Sequence, residues 1–129
     1  MNPKDLKYSK DHDWARVEGN VVTLGITDHA QESLGDVVFV EIPAVGATVT
    51  AGQSYGTVES VKAVSDIVAA VSGKVIAVNE AIIDAPDTLN QDPYGAGWLV
   101  RVEATDQSAM DAMMNAEEYD AYLAAEGDH

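Results

Sequence analysis

Cysteine is absent from this chain, which removes disulfides, thiolate metal sites and a cysteine nucleophile together. That absence fits a reducing intracellular setting. Basic residues are scarce: 7 Lys and Arg stand against 22 Asp and Glu, a formal charge of −15. Phosphate backbones and anionic lipid faces repel such a surface, so we expect no nucleic-acid partner and no membrane partner. Basic docking faces on other proteins are attracted instead. No apolar run approaches the ~20 residues of a membrane span. The segment Met1-Asn2-Pro3-Lys4-Asp5 has neither the apolar stretch of a secretory signal nor the Arg/Ser bias of an organelle presequence. The expected location is therefore a bacterial cytoplasm, or a mitochondrial matrix if the sequence is a processed eukaryotic form.

What is present points to a folded β protein. Hydrophobic residues make up 47% of the 129 positions, enough to argue against acidic disorder. The length fits one domain over residues 1–129. From residue 14 to 103 the chain reads as short strands and turns, a spacing too dense for an α/β layer fold. Ala15–Glu18 and Val21–Leu24 flank Gly19-Asn20, a two-residue hairpin signal. Thr27–Leu34 predicts a short helix closed by Gly35, with Asp28 as N-cap and Gln31 three residues on. Val37–Val40 predicts a buried strand stopped by Pro43. Val45–Ala51 alternates Thr48 and Thr50 among small turn residues. Tyr55–Val61 and Ser65–Val71 predict two strands. Lys74–Val78 predicts a third, ended by Asn79-Glu80. Ala85–Gly97 reads as an ordered loop and Trp98–Val102 as a strand. The region 105–125 predicts two helices, Thr105–Met114 and Asn115–Ala125, with Asn115 and Glu118 as a capping box. Met110, Met113, Met114, Tyr119, Tyr122 and Leu123 form an apolar stripe at helical spacing, best explained by packing on the sheet. Gly127–His129 is expected to fray. Gly46–Ser60 and Gly73–Glu80 hint at two related hairpin halves.

The most informative segment is Glu59-Ser60-Val61-Lys62-Ala63-Val64-Ser65-Asp66. It places one lysine between two β-branched stretches, with a carboxylate three residues before and another four residues after. A tight turn gives a side chain a rigid base and full exposure. That is what a covalently attached swinging arm requires. At a reference pKa near 10.4, roughly one lysine in a few thousand is neutral at pH 7. The nearby acids favour the charged form further. The amine therefore needs a dedicated acylating enzyme, with Glu59 and Asp66 as candidate recognition groups. From these residues alone, a solvated turn lysine and a carrier lysine both remain open. Biotinyl lysines typically lie between methionines, whereas Val61 and Ala63 flank this one, so lipoate is favoured over biotin.

In order and distance, several segments together resemble the H protein of the glycine cleavage system, a lipoyl carrier. They are His12-Asp13-Trp14, Gly25 to Gln31, Leu34 to Pro43, Glu59 to Asp66, Asn90 to Trp98, and Glu118-Tyr119. The likeness runs from about Leu6 to Leu123. It implies a mostly β fold, a lipoyl-domain-like sandwich of two antiparallel sheets with short helices and a helical C-terminal segment. It implies lipoate attached to Lys62, and a cofactor-carrying protein that is not an enzyme. The implied task is to shuttle the aminomethyl group of glycine from a pyridoxal-phosphate glycine decarboxylase to a tetrahydrofolate-dependent aminomethyltransferase. The dihydrolipoyl arm then goes to an FAD-containing dihydrolipoyl dehydrogenase. A lipoate-attaching enzyme completes the partners, and the expected state is a monomer. The likeness also implies a surface cleft for the loaded arm, involving His12, Asp13, Ser33 and Asp66. A carboxylate beside a protonated aminomethyl nitrogen can make a charge-assisted hydrogen bond. Two departures bear on that cleft. Asp13 replaces the family's usual glutamate, and Ser33 stands where some members have histidine.

The remaining residues of chemical interest support no rival site. His12, His29 and His129 lack metal spacing. Asp84, Asp87 and Asp92 lack a calcium-loop pattern. Ser60 and Ser65 have no histidine nearby in sequence to activate them. The glycines follow turn spacing without phosphate-loop order. Trp14 and Trp98 read as core or sheet-edge packing, and Tyr94 as a candidate docking residue. Two alternative functions share the same chain. One is a relay that donates lipoyl groups to other acceptors through Lys62. The other is an unmodified acidic adaptor.

Overall fold

The computed structural model describes residues 3–126. Among these, β1 (Lys7–Tyr8), β2 (Asp13–Glu18), β3 (Val21–Ile26), β5 (Thr48–Val49), β8 (Ser72–Val78) and β9 (Val100–Asp106) form one antiparallel sheet, in the order β1-β2-β3-β9-β8-β5. A smaller sheet holds β4 (Val37–Glu41), β6 (Ser54–Ser60) and β7 (Val64–Val68), in the order β4-β6-β7. Short helices α1 (Asp28–Leu34), α2 (Glu80–Asp84), α3 (Thr88–Gln91) and α4 (Ala116–Glu126) sit at the connections. The expected two-sheet β architecture with short helices is therefore present.

Alternation along the strands builds the core. Val22, Leu24, Val75, Val100 and Val102 point inward from the large sheet, joined by Val49, Val71 and Met110. A second cluster joins Val37, Val40, Val58 and Ile67 of the small sheet to Ile26, Leu34, Ile82, Leu89 and Leu99. Burying each such side chain contributes roughly 1.5–3 kcal/mol. A third cluster packs Leu6, Tyr8 and Trp14 against Ala116 and Tyr119 of α4, which anchors the C-terminal helix. Tyr8 and Tyr119 stack there with centroids 4.7 Å apart. The Tyr8 hydroxyl donates to the Pro3 carbonyl.

Several expectations meet the structure directly. Glu18 pairs with Val21 across Gly19-Asn20, and Gly19 takes the φ of 68° that this turn needs. The Asn115/Glu118 box forms in both directions, at 2.8 and 2.9 Å.

Others need correction. Thr27, not Asp28, caps α1: its Oγ1 accepts from the Ala30 N–H at 3.2 Å, and Asp28 is the first helical residue. Val37–Val40 is not buried throughout. β4 is an edge strand of a sheet with one open face, so Val38 and Phe39 are exposed. The loop expected over 85–97 contains α3, which follows α2 at Glu80–Asp84. No long apolar stripe marks such single-turn helices. The helix expected over 105–114 does not form. Pairing with β8 carries β9 to Asp106, and only a 3₁₀ turn, Ser108–Ala112, follows. Ladder pairing there overrides local helix propensity. The apolar stripe still packs as expected: Met110 and Tyr119 are buried, with Met113, Met114, Tyr122 and Leu123 partly so. The expectations for Gly127–His129 fall outside the described residues.

Candidate functional site: a lysine tip beside an acidic cleft

Lys62 lies where β6 turns into β7, and Ser60 builds that turn. The Ser60 N–H donates to the Ala63 carbonyl at 2.8 Å. Its Oγ accepts from the N–H of Ala63 at 3.0 Å and of Lys62 at 3.3 Å. The Ser60 hydroxyl is thus spent on shaping the turn. The Val61 N–H donates to the Asp36 carbonyl at 3.0 Å, so the tip is also tied to the residue before β4.

The lysine side chain is exposed and its stem passes over Gly35, where an added Cβ would sit 3.4 Å from Lys62 Cε. Gly35 ends α1 with φ 80° and ψ −155°, a conformation essentially reserved for glycine. Asn90 of α3 locks that corner. Its Nδ2 donates to the Gly35 carbonyl at 2.8 Å and to Gln31 Oε1 at 2.9 Å, and its Oδ1 accepts from the Val37 N–H at 2.9 Å.

Glu59 and Asp66 are both exposed. Glu59 pairs with Val64 and Asp66 with Thr57, so the two acids belong to separate cross-strand rows of the small sheet.

Beside the tip lies a cleft of about 330 Å³. Ala63 and Val64, the residues after Lys62, line it. His12, Asp13, Ser33 and Asp66, the four positions expected around an arm cleft, all line it too. Ile26, Leu34, Val58 and Ile67 supply apolar wall.

Asp13 is the most perturbed acid here. It is 5% exposed, and burial raises its pKa well above the ordinary carboxyl range. The Asp11 charge pushes the same way, while hydrogen bonds from the Val68 N–H and Ser9 oppose it. Asp13 also lines a second cavity, of about 190 Å³, between the first strands and the 3₁₀ turn. The Tyr55 hydroxyl is buried without a hydrogen-bond partner among the described residues, and its pKa is raised by burial and by the Asp13 charge.

His12 holds a φ of 67°, rare for a residue with a Cβ. Three bonds impose it. Its N–H donates to the Ser9 carbonyl at 3.1 Å, its carbonyl accepts from the Thr27 N–H at 3.0 Å, and Nδ1 meets the Tyr119 hydroxyl at 2.8 Å. The same hydroxyl shares a 2.8 Å bond with Thr27 Oγ1, so α4 braces both the cleft and the N-cap of α1. Tyr94, a candidate docking residue, is partly buried and has internal contacts. It accepts from the Asp28 N–H at 3.0 Å and packs with Trp14, and burial pushes its phenol up to about 12.

Sequence reading missed three contributors: His29, Tyr119 as a brace, and Tyr55. His29 lines the cleft and stacks on His12 with centroids 4.5 Å apart. A signal for it existed, since His29 and Ser33 are four apart on one helix face. Nothing local marks Tyr119 as a brace, because its partners His12 and Thr27 are distant in sequence, and nothing local marks Tyr55, whose burial near Asp13 arises only in the fold.

An exposed lysine on a tight hairpin, next to a cleft with apolar walls and acidic edges, is the arrangement that the swinging-arm carrier class requires. The comparisons with known proteins narrow the class. Residues 6–126 match the family described as glycine cleavage H-protein. The chain is 52% identical to the glycine cleavage system H protein of Carboxydothermus hydrogenoformans, over 98% of this chain and 97% of that one. It is 54% identical to the Myxococcus xanthus glycine cleavage system H protein, over 94% of each. The crystal structure of the H protein from Mycobacterium marinum superposes with a TM-score of 0.88 at 44% identity, covering 95% of this chain and 99% of that one. This chain therefore belongs to the glycine cleavage H-protein family, the lipoyl carriers of the glycine cleavage system, and is a carrier rather than a catalyst. Among the described residues, no helix is long and apolar enough to cross a membrane.

Proposed function

We propose that Lys62 carries lipoate in amide linkage and that the cleft beside it shelters the arm between enzyme encounters. The observation that carries this reading is the placement of one exposed lysine on a Ser60-capped turn beside the cleft of His12, Asp13, Ser33 and Asp66. The donor set fits the group: the amine is free to be acylated, and the walls suit a short aliphatic chain. When bound, lipoate supplies a disulfide that opens to take up a one-carbon amine unit. Lysine and arm together reach on the order of 12–15 Å from the backbone, enough to leave the cleft and enter a partner. Ile26, Leu34, Val58 and Ile67 exclude water from the seated arm. Asp13 and Asp66 offer acceptors to a cationic nitrogen, and Ser33 offers a hydroxyl.

The partners in this reading are the glycine decarboxylase with pyridoxal phosphate, the aminomethyltransferase with tetrahydrofolate, the FAD-containing dihydrolipoyl dehydrogenase and a lipoate-attaching enzyme. Glu59 and Asp66 guide that last enzyme. Tethering keeps the reactive end at high effective concentration near a docked partner. A monomer in a bacterial cytoplasm fits the bacterial relatives, and one domain spans the chain. The relay reading gains nothing from these relatives. Intact mass tests the proposal. In a lipoate-supplied host the wild type gains one lipoyl group that maps to the Lys62 peptide, and Lys62→Arg gains none. Bare Lys62 under those conditions, with glycine cleavage proceeding, would refute it.

A further inference from the structure

The Tyr119 hydroxyl joins the C-terminal helix to the cleft wall, and the protons along that junction can be counted. Thr27 Oγ1 accepts from the Ala30 N–H at 3.2 Å, and its own proton has one acceptor among the described residues, the Tyr119 oxygen at 2.8 Å. Thr27 is fully buried, so that proton cannot turn to water. Thr27 therefore donates and the Tyr119 oxygen accepts. The single Tyr119 proton is then left for His12 Nδ1, 2.8 Å away. With Nδ1 as acceptor, the proton of a neutral His12 ring sits on Nε2. The reverse order would strand the Thr27 proton inside the protein, an unmade buried hydrogen bond.

We infer that Tyr119 is a positioning residue for the arm cleft: its hydroxyl fixes His12 as the Nε2–H tautomer and holds the ring on the cleft wall, so that α4 governs how firmly the loaded arm is kept. The inference rests on the arm-sheltering role proposed above and assigns a control over that same site. His12 needs such a hold. Its φ of 67° is a strained conformation for a residue with a Cβ, and strain of this kind persists only where the surroundings over-determine it. Tyr119 can supply the hold because its own place is fixed. It is fully buried, and its ring stacks on Tyr8 with the planes 8° apart. Tyr8 in turn exchanges two backbone bonds of 2.8 Å with Met114, just ahead of α4. His29, stacked on His12, limits rotation of the imidazole. The tautomer matters because of what else lines the cleft. Asp11, Asp13 and Asp66 share it with His12. A proton on Nε2 gives this acidic wall a donor, whereas the other tautomer would add one more lone pair to it.

The test removes one oxygen. Tyr119→Phe keeps the ring and its stack but has no proton to give. Protein labelled with 15N-histidine reports the ring directly at pH 8, where an ordinary imidazole is neutral. In wild type, His12 Nδ1 should show the shift of a bare nitrogen and Nε2 that of a protonated one. In Tyr119→Phe the two shifts should move toward each other as both tautomers become populated. Arm retention is read separately. Lipoylated carrier is loaded by glycine decarboxylase with glycine labelled at its methylene carbon, freed of the enzyme, and the loss of label is timed. In that loss the carbon–sulfur bond breaks, water supplies the oxygen, and the arm thiol, formaldehyde and ammonium are formed. Loss from Tyr119→Phe should be about threefold faster or more, the scale of one net hydrogen bond. His12→Asn keeps a side chain that tolerates the left-handed backbone and removes the ring. It should lose label as fast, and the double variant no faster than either, because Tyr119 acts through His12. A wild-type ring protonated on Nδ1, unchanged ring shifts in Tyr119→Phe, wild-type retention of label by that variant, or additive effects in the double variant would each overturn the inference. A wild type that loses label as fast folded as unfolded in urea removes the sheltering role itself. Thermal melts establish that each variant is folded, and the wild-type ring shifts with His12→Asn decide the matter if Tyr119→Phe is not.

Discussion

Asp13 turns burial into a pH-dependent contribution to stability. Its folded pKa lies above the ordinary value because burial disfavours the anion. The folded protein therefore holds a proton that the unfolded chain has already released. The contribution is fully present below the unfolded value of about 3.9, and it is lost as pH rises from there through the folded value. A tenfold difference in proton affinity between the folded and unfolded chain corresponds to about 1.4 kcal/mol. Asp13→Asn cannot ionise, so its stability relative to wild type should increase with pH across that window and level off above it. Urea midpoints of the two proteins between pH 3.5 and 8 measure the difference. A constant difference would show that Asp13 titrates alike in the folded and unfolded states. Lys62 is expected to contribute little to stability. Its side chain is exposed and its stem passes over Gly35, so Lys62→Arg should change unfolding free energy by less than about 0.5 kcal/mol while abolishing acylation. Loss of several degrees in Tm would contradict the exposed placement.

The corner made by α1, Gly35 and α3 decides where the lysine tip stands. Asn90→Ala would remove three hydrogen bonds and leave the Val37 N–H and the Gly35 carbonyl without their partner. The expected cost is about 2–3 kcal/mol, read as a lower urea midpoint with unchanged slope. A cost under about 0.5 kcal/mol, no more than an ordinary surface substitution, would mean that water replaces the amide. This corner also shows what sequence can and cannot carry. Gly35 as helix stop, the Gly19-Asn20 hairpin and the Asn115/Glu118 box were legible, because each is decided within four residues. The role of Asn90 was not, because its bonds run to residues 53 to 59 positions away. The end of β9 was misread as helix for the same reason: its ladder with β8 is a long-range fact. Within the site, Lys62 stood out by its flanks. The grouping of His12, Asp13, Ser33 and Asp66 came through family likeness, and the geometry places all four on one cleft. His12's positive φ and its Tyr119 brace have no local signature.

At the scale of the whole molecule, a formal charge of −15 dominates every encounter. The acylation proposed for Lys62 would take away one more positive charge, so loading would strengthen rather than reverse the field. Such a surface accelerates approach to basic faces and is screened by salt, with a Debye length near 10 Å at 0.1 M and 3 Å at 1 M. Docking to the acylating enzyme should therefore weaken as NaCl rises from about 0.05 to 0.5 M, by about tenfold in kcat/KM. The share of the charge nearest the lysine can be read in that series. Glu59→Gln removes one negative charge close to the lysine tip, so its plot of log kcat/KM against salt should be shallower than the wild type's. Parallel plots for wild type and Glu59→Gln would show that the charge of the distant surface, not of the lysine tip, guides the approach. A flat plot for the wild type would show that the acidity of the chain serves something other than docking.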